Sequence, residues 1–266
     1  MSNKLKKVTV IKIGGATLGS NDTTVEDIVS LQKLGKSLVV VHGGGKMITT
    51  WLEKRGISTR FINGERVTDE ATLEVVVSVL LGVVNKEIVA DINALGGMAI
   101  GISGVDGAFI QGRIKNVELG YVGEVARVNP APLEAIIKAG YIPVIAPVSL
   151  NADRLEQAPR LLNINADIVA GEVAAAISAE KLIFLTDVVG VSDHSGNLLP
   201  HLSLDEAEAL VTSGTASGGM IPKIKACLKA LSGTSTACII IDGRKSHALL
   251  DEIEGKGGGT SIGGVK

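Results

Sequence analysis

Lys12 stands near the end of the apolar run Val8-Thr9-Val10-Ile11-Lys12-Ile13 and is followed directly by Gly14-Gly15. A lysine there sends its ammonium out at a strand tip, and the two glycines leave bare backbone beside the charge, which makes a place for an anion. Lys223 repeats the device in the second half, just inside a helix opened by Gly218-Gly219. A third glycine set, Gly43-Gly44-Gly45 after His42, follows the apolar run Leu38-Val39-Val40-Val41. Either lysine alone reads as a snorkelling surface residue. Two of them, with three sets of glycine-supplied N–H groups, suit a phosphoryl group in flight, whose charge is met by point charges and backbone dipoles.

Asp167, in Asn163-Ile164-Asn165-Ala166-Asp167, favours a helix N-terminus through the dipole and is also a candidate to hold both ammonium groups in place. Arg66, in Gly64-Glu65-Arg66-Val67-Thr68-Asp69, offers a planar fork for a substrate carboxylate; its plainer reading is a solvated loop charge. His194, His201 and His247 have no metal-ligand spacing and read as surface residues, so no metal site is assigned. Standard nucleotide fingerprints fail. Gly35-Lys36-Ser37 ends like a P-loop, but Ser30 stands where the first glycine belongs and the segment enters a strand. The 43–45 glycines miss the dinucleotide pattern because Ile48 holds its last glycine position. His42-Gly43-Gly44-Gly45 and Gly259-Thr260-Ser261-Ile262-Gly263 also match the oxyanion tetrad and nucleophile elbow of esterases. That reading fails on order, since only Gly264-Val265-Lys266 follow the serine match.

The elements that must position these residues alternate strand and helix from end to end, the pattern of an α/β protein with a parallel sheet. Strands are expected at 8–13, 38–41, 99–102, 142–146, 181–185 and 237–241, the last clear one. Helices are expected at 24–34 (capped by Asn21 or Asp22), 46–54, 130–139, 166–177, 203–211 and 222–231. The longest, from Asp69 to Ala94, is apolar nearly all the way round and is therefore buried on more than one side, inside the domain or against a second subunit. Residues 108–128 read as short hairpins, 150–160 as a loop or hairpin, and 193–197 as a hairpin tip; Ser203 and Glu206 form a capping box. Without a low-complexity linker, the chain divides into two lobes of one sheet, residues 1–160 and 161–266. At 266 residues and 45% hydrophobic it can bury a large aliphatic core, while 2% aromatics and a net charge of −2 argue against nucleic acid or an acidic membrane as partner. Cys227 and Cys238 read as small core residues in a reducing compartment, and with neither a signal core nor a long apolar span the expected location is the cytoplasm.

Lys12-Ile13-Gly14-Gly15, His42-Gly43-Gly44-Gly45, Arg66-Val67-Thr68, Gly101-Ile102-Ser103-Gly104, Asn163 to Asp167, Thr186-Asp187-Val188-Val189-Gly190-Val191 and Gly218-Gly219-Met220-Ile221-Pro222-Lys223 occur in the order found in N-acetylglutamate kinases of the amino-acid kinase superfamily, which the chain resembles over nearly its whole length. The resemblance implies a three-layer αβα sandwich around a mainly parallel central sheet, with the acyl amino acid in the N-terminal lobe and ATP in the C-terminal lobe. It implies that Gly44, Gly45, Arg66 and Asn163 bind N-acetyl-L-glutamate, and that Gly14, Gly15 and Gly43 supply the phosphate cradle. Lys12 and Lys223 would stabilise the transferring group, with Asp167 orienting them. Asp187, Val188, Val189, Gly190, Val191 and Ser192, with Thr215, Ala216, Ser217, Gly218 and Gly219, would line the nucleotide site, and Mg²⁺ would be held mostly by the phosphates. A γ-carboxylate is already ionised at pH 7, so no general base is required, and none is evident.

Lys46, Trp51, Glu65 and the glycine-rich stretch 255–259 depart from the common pattern, and Lys46 and Glu65 lie near the inferred acyl pocket. Only seven residues precede the first strand, whereas arginine-inhibited relatives carry an extra N-terminal helix; the resemblance therefore implies an arginine-insensitive homodimer joined through the 69–94 helix. Two rivals stand beside this reading: a kinase of carrier-linked aminoadipate or glutamate in lysine biosynthesis, and a catalytically silent sensor of the same fold.

Overall fold

The computed structural model describes residues 7–15, 23–153, 159–232 and 237–263. The first strand, β1 (Val8–Ile13), is buried at all its positions, as its β-branched composition requires. After it come α1 (Thr24–Lys33), β2 (Ser37–His42), α2 (Gly45–Lys54), the short hairpin β3 (Phe61–Ile62) and β4 (Glu65–Arg66), then α3 (Glu70–Val77), a π-helical segment (Ser78–Val84) and α4 (Asn85–Ala94). Next are β5 (Ala99–Ser103), β6 (Ile110–Ile114), β7 (Val122–Val128), α5 (Ala131–Lys138), β8 (Ile142–Ala146), β9 (Val148–Asn151) and β10 (Leu161–Ile164). The second half adds α6 (Ala166–Ala176), β11 (Lys181–Thr186), β12 (His201–Leu202), α7 (Leu204–Thr212), α8 (Met220–Leu231), β13 (Ala237–Asp242), α9 (Ala248–Ile253) and β14 (Gly259–Ile262).

Among the described residues, eight strands form one sheet in the order β12-β14-β13-β11-β1-β2-β8-β5, parallel except where β13 meets β14. Thus β1 lies where the two halves of the chain join, with β11 on one side and β2 on the other. Successive side chains of a strand point to opposite faces. Val8 and Val10 accordingly enter a core shared with α6 and α8, while Ile11 and Ile13 enter a second core with α1, α2, the π-helical segment and α9. This is the expected three-layer sandwich. Lys12 has the parity of Val8 and Val10 and so emerges beneath α6. Four further strands, β10-β7-β6-β9, close into a small barrel.

Several expectations change. The 69–94 segment is helical throughout, but its middle third is π-helical, and its buried side faces this chain's own core. The sheet does not end at β13: β14 pairs antiparallel with it, a strand hidden in sequence by the glycines around it. The helix after Gly218-Gly219 begins at Met220, ahead of the proline. The 108–128 stretch is a hairpin, β6 with β7, but built into the barrel. The proposed caps Asn21 and Asp22 lie outside the described residues, and Thr23 holds the N-cap position of α1 without a side-chain bond to the helix, its Oγ1 accepting instead from the His247 N–H at 2.6 Å. The capping box at Ser203 and Glu206 is present, and both cysteines are buried and free.

Candidate active site

Parallel pairing aligns Ile13 with His42, so the glycine turns after β1 and β2 sit side by side at the carboxyl ends of their strands, where open α/β sheets bind ligands. Lys12 reaches up from β1 and is 7% exposed. Its Nζ lies 2.8 Å from Oδ1 of Asp167, on the first turn of α6. Oδ2 of the same carboxylate lies 3.0 Å from Nζ of Lys223, on the first turn of α8, whose ammonium also donates to the Gly219 carbonyl at 3.1 Å. Burial works against the charged form of Asp167, yet the two ammonium groups outweigh it and hold the carboxyl below the usual carboxylate range. The backbone that aims Asp167 is fixed by Asn165, whose Oδ1 accepts from the Asp167 N–H at 2.8 Å.

A cavity of about 260 Å³ opens beside this trio, bordered by Lys12, Gly44, Gly45, Arg66, Asn163 and Asp167. Gly15 and Gly43 also border it. The N–H of Gly14 and that of Gly43 are directed elsewhere, to the carbonyls of Leu185 (3.1 Å) and Ile13 (3.0 Å). The amide nitrogens of Gly44 and Gly45 lie 4.0 and 3.9 Å from the place a Cβ on Gly15 would take, and neither donates to an acceptor among the described residues.

Arg66 is a buried cation rather than a solvated loop charge. Nη2 donates to the Gly45 carbonyl (3.1 Å) and Thr49 Oγ1 (2.8 Å), Nη1 to Thr59 Oγ1 (3.3 Å), and the guanidinium lies 4.7 Å from the Phe61 ring centroid. All of these partners are neutral. Burial lowers its pKa, but an arginine stays protonated at neutral pH. Asn163, on the barrel strand β10, donates to Thr68 Oγ1 (3.2 Å), which in turn donates to the Arg66 carbonyl (2.9 Å). Thr68 therefore ties the two sides of the cavity together, a link that no local pattern announces.

The segments expected at the nucleotide lie at the carboxyl end of β11 and before α8. Asp187, Val188, Val189 and Ser192 are exposed there, as are Ser217, Gly218 and Gly219, with Thr215 half-buried. Gly190, Val191 and Ala216 point inward: Val191 and Ala216 join the core, and the Val191 N–H donates to Thr260 Oγ1 at 2.8 Å. His194, exposed as its reading as a surface residue requires, contacts Thr215 Oγ1 through Nε2 at 2.7 Å and ties the 193–197 turn to this segment. An open cleft of about 750 Å³ shares Gly64, Glu65 and Asn165 with the first cavity and is bounded by Gly218, Ile221 and Pro222 of the α8 entry. Among the described residues, no group of three or more His, Cys, Asp or Glu side chains is placed to hold a metal ion.

A parallel αβα sandwich in which one ammonium group from a strand and one from a helix share a carboxylate at the strand tips, facing glycine amides that have no acceptor among the described residues, has the architecture of a small-molecule phosphotransferase. Residues 7–242 match the amino acid kinase family, and the chain belongs to that family. It is 49% identical over 265 residues to the acetylglutamate kinase of Dehalococcoides mccartyi strain BAV1, across 99% of this chain and 97% of the relative. Among solved structures, N-acetylglutamate synthase from Neisseria gonorrhoeae, complexed with coenzyme A and N-acetyl-glutamate, matches with a TM-score of 0.83 and 26% identity, over 98% of this chain and 60% of that one. The protein smu.665 from Streptococcus mutans UA159 matches with a TM-score of 0.80 and 28% identity, over 96% and 98% of the two chains.

Proposed function

We propose that this chain is an acetylglutamate kinase, which transfers the γ-phosphoryl group of ATP to the γ-carboxylate of N-acetyl-L-glutamate to give N-acetyl-L-glutamyl 5-phosphate and ADP, the second step of arginine biosynthesis. The observation that carries the reading is Arg66: a buried guanidinium whose hydrogen-bond partners among the described residues are all neutral, on the wall of a cavity that also touches Lys12. A buried cation of this kind calls for an anionic ligand. N-acetylglutamate brings two carboxylates. One must reach the Lys12 end to be phosphorylated, which leaves the other for Arg66, with Asn163 beside it. The near-identity in length and 49% identity to a relative named acetylglutamate kinase support the same substrate.

In the reaction an oxygen of the γ-carboxylate forms a bond to the γ-phosphorus as the bond from phosphorus to the ADP oxygen breaks. No proton moves, because the nucleophile is already ionised. Lys12 and Lys223 meet the charge on the equatorial oxygens, the Gly44 and Gly45 amides add dipoles, and Asp167 prevents the two cations from repelling each other apart. ATP lies along 187–192 and 215–219, at the carboxyl end of β11 and the entry to α8, with 161–266 as the nucleotide lobe and 1–160 as the acceptor lobe. Both Asp167 oxygens are engaged by ammonium groups, which fits a Mg²⁺ ion held by the ATP phosphates, where it neutralises their charge.

The reading extends to a cytoplasmic homodimer joined through the 69–94 helix. Half-exposed Val77, Leu81 and Val89 on that segment support the contact, and no helix among the described residues is long and apolar enough to cross a membrane. A coupled ADP-release assay with N-acetyl-L-glutamate tests the activity. Saturable turnover is expected. Turnover confined to a carrier-linked aminoadipate would replace the substrate, and no turnover with either would leave a sensor.

A further inference from the structure

The His42 ring lies wholly buried beneath the glycine turn it introduces. Nδ1 is 2.8 Å from the carbonyl oxygen of Gly43, an atom that can only accept, so the proton is on Nδ1. Nε2 is 3.2 Å from Nδ2 of Asn85, on the adjoining helix. That Nδ2 also donates to the Val144 carbonyl at 2.9 Å, and Asn85 Oδ1 accepts from Lys86 Nζ at 3.1 Å, so the amide can point only one way and the imidazole can hold only one tautomer.

In a trans peptide the C=O and N–H point in opposite directions. With the Gly43 carbonyl turned down onto His42, the N–H of Gly44 is turned away from the ring, toward the cavity, where it has no acceptor among the described residues. The turn is also held from the side. A Cβ on Gly44 would stand 2.6 Å from Leu80 Cδ2 and 3.5 Å from Val84 Cγ2, so the loop lies flat on these two side chains. Leu80 and Val84 both belong to the π-helical segment, and Asn85 is the first residue after it. Single π turns recur at functional sites because the extra residue re-aims the side chains that follow.

Building on the kinase reading, we propose that His42 and Asn85, backed by Leu80, are positioning residues that fix the Gly43–Gly44 peptide so that its N–H faces the transferring phosphoryl group. They touch neither substrate. Their effect is to have the donor in place before the reaction begins, so that no loop reorganisation accompanies charge development.

The test is a series at position 42. Asparagine places an amide N–H where Nδ1 stands; glutamine reaches only the Nε2 position; leucine offers neither. We expect His42→Leu and His42→Gln to lower kcat about 100-fold, with KM for both substrates within about 3-fold of the parent, and His42→Asn to recover to within about 10-fold. A second readout needs no acceptor: the thermal shift given by MgADP with aluminium fluoride, a phosphoryl mimic, is retained in His42→Asn and lost in His42→Gln, while the shift given by MgADP alone is the same in both. Should His42→Leu not fold, the ranking of Asn over Gln decides. Equal defects in Asn and Gln, or a folded His42→Leu with kcat within about 3-fold of the parent, overturn the proposal. A parent protein that binds the fluoride complex but does not turn over acetylglutamate counts against the substrate assignment and leaves this inference to the fluoride readout.

Discussion

Lys12 and Lys223 share one carboxylate, the first from the strand where the two halves of the sheet meet and the second from a helix of the C-terminal half, at 2.8 and 3.0 Å from opposite oxygens of Asp167. Two cations and one anion leave a net charge of +1 at the strand tips, and each ammonium has three donors, of which the carboxylate uses only part. The trio is therefore neutralised enough to be buried and cationic enough to receive a phosphoryl group. The fold keeps it rigid, because β1 is paired on both sides and α6 packs directly on α8.

Lys223→Ala is expected to lower kcat by about 10²- to 10³-fold, the scale for removing one preorganised electrostatic contact at a transition state. Lys223 does not border the acceptor cavity, whereas Lys12 does. KM for acetylglutamate should accordingly stay within a few-fold of the parent in Lys223→Ala and rise more in Lys12→Ala. Steady-state kinetics on both variants checks the split; an unchanged kcat in Lys223→Ala would favour the sensor reading.

Arg66→Lys keeps a charge in the cavity and loses the fork. The guanidinium is held in plane by Thr49, Thr59 and the Gly45 carbonyl, contacts that one ammonium cannot make together while still presenting donors to a carboxylate. We expect KM for acetylglutamate to rise about 10-fold or more, about 1.4 kcal/mol of binding, with kcat within a few-fold because the lost contact is made equally in ground and transition states. A fall in kcat at constant KM would place Arg66 on the reacting carboxylate instead.

Much of this was legible in the sequence because the relevant signals are local. Lys12, Asp167 and Lys223 each sit beside a glycine pair or at a helix entry, and the unbroken β-branched run of β1 announces a doubly buried strand. What stayed hidden depends on partners distant in the chain. The strand β14 is Gly-Thr-Ser-Ile, weak in its own propensity and formed because β13 offers it an edge. The π-helical register of Ser78–Val84 leaves no compositional trace, since apolar residues pack on either kind of turn. Arg66 reads as solvated from sequence because the walls that bury it come from Thr49, Thr59 and Phe61, and the contact of Asn85 with His42 spans a stretch of chain that carries no local signal of it.

His42 should make the protein acid-sensitive well above the carboxylate range. Burial, above all, lowers its pKa to about 4 from the ordinary 6.5; the Gly43 carbonyl opposes this, and the positive charges of Lys12 and Lys86 add to it. The unfolded chain binds the proton below about 6.5 while the native state refuses it until about 4, so the native state has its full stability above 6.5 and loses it progressively as the pH falls to 4. The difference amounts to roughly 3 kcal/mol. His42→Asn cannot titrate there, whereas the carboxylates and His247 are common to both proteins. Urea unfolding at pH 7.5 and 4.5 should show a drop about 2 to 3 kcal/mol larger in the parent; equal drops would mean that the ring is not buried in its neutral form.

Gly171 is where α6 and α8 touch. It lies one turn beyond Asp167, and Ala226 lies one turn beyond Lys223, so the closest approach of the two helices sets the distance between the acid and the second lysine. A Cβ at Gly171 would stand 2.6 Å from the Ala226 carbonyl oxygen and 2.8 Å from its Cα, both backbone atoms with no rotamer to escape into. On helix propensity alone, alanine would be preferred by about 1 kcal/mol. Overpacking against a helix backbone works the other way by about 1–3 kcal/mol, so Gly171→Ala should be destabilised overall. The helices must part to admit the methyl group, which lengthens the 3.0 Å contact between Asp167 and Lys223 and lowers kcat without touching the acceptor cavity. Ala226→Gly added to it should restore only part of both losses, because the carbonyl that blocks the methyl remains. Chemical unfolding and kcat on the single and double variants decide it: a Gly171→Ala protein as stable and as active as the parent would show that the helix contact does not set the geometry of the two lysines.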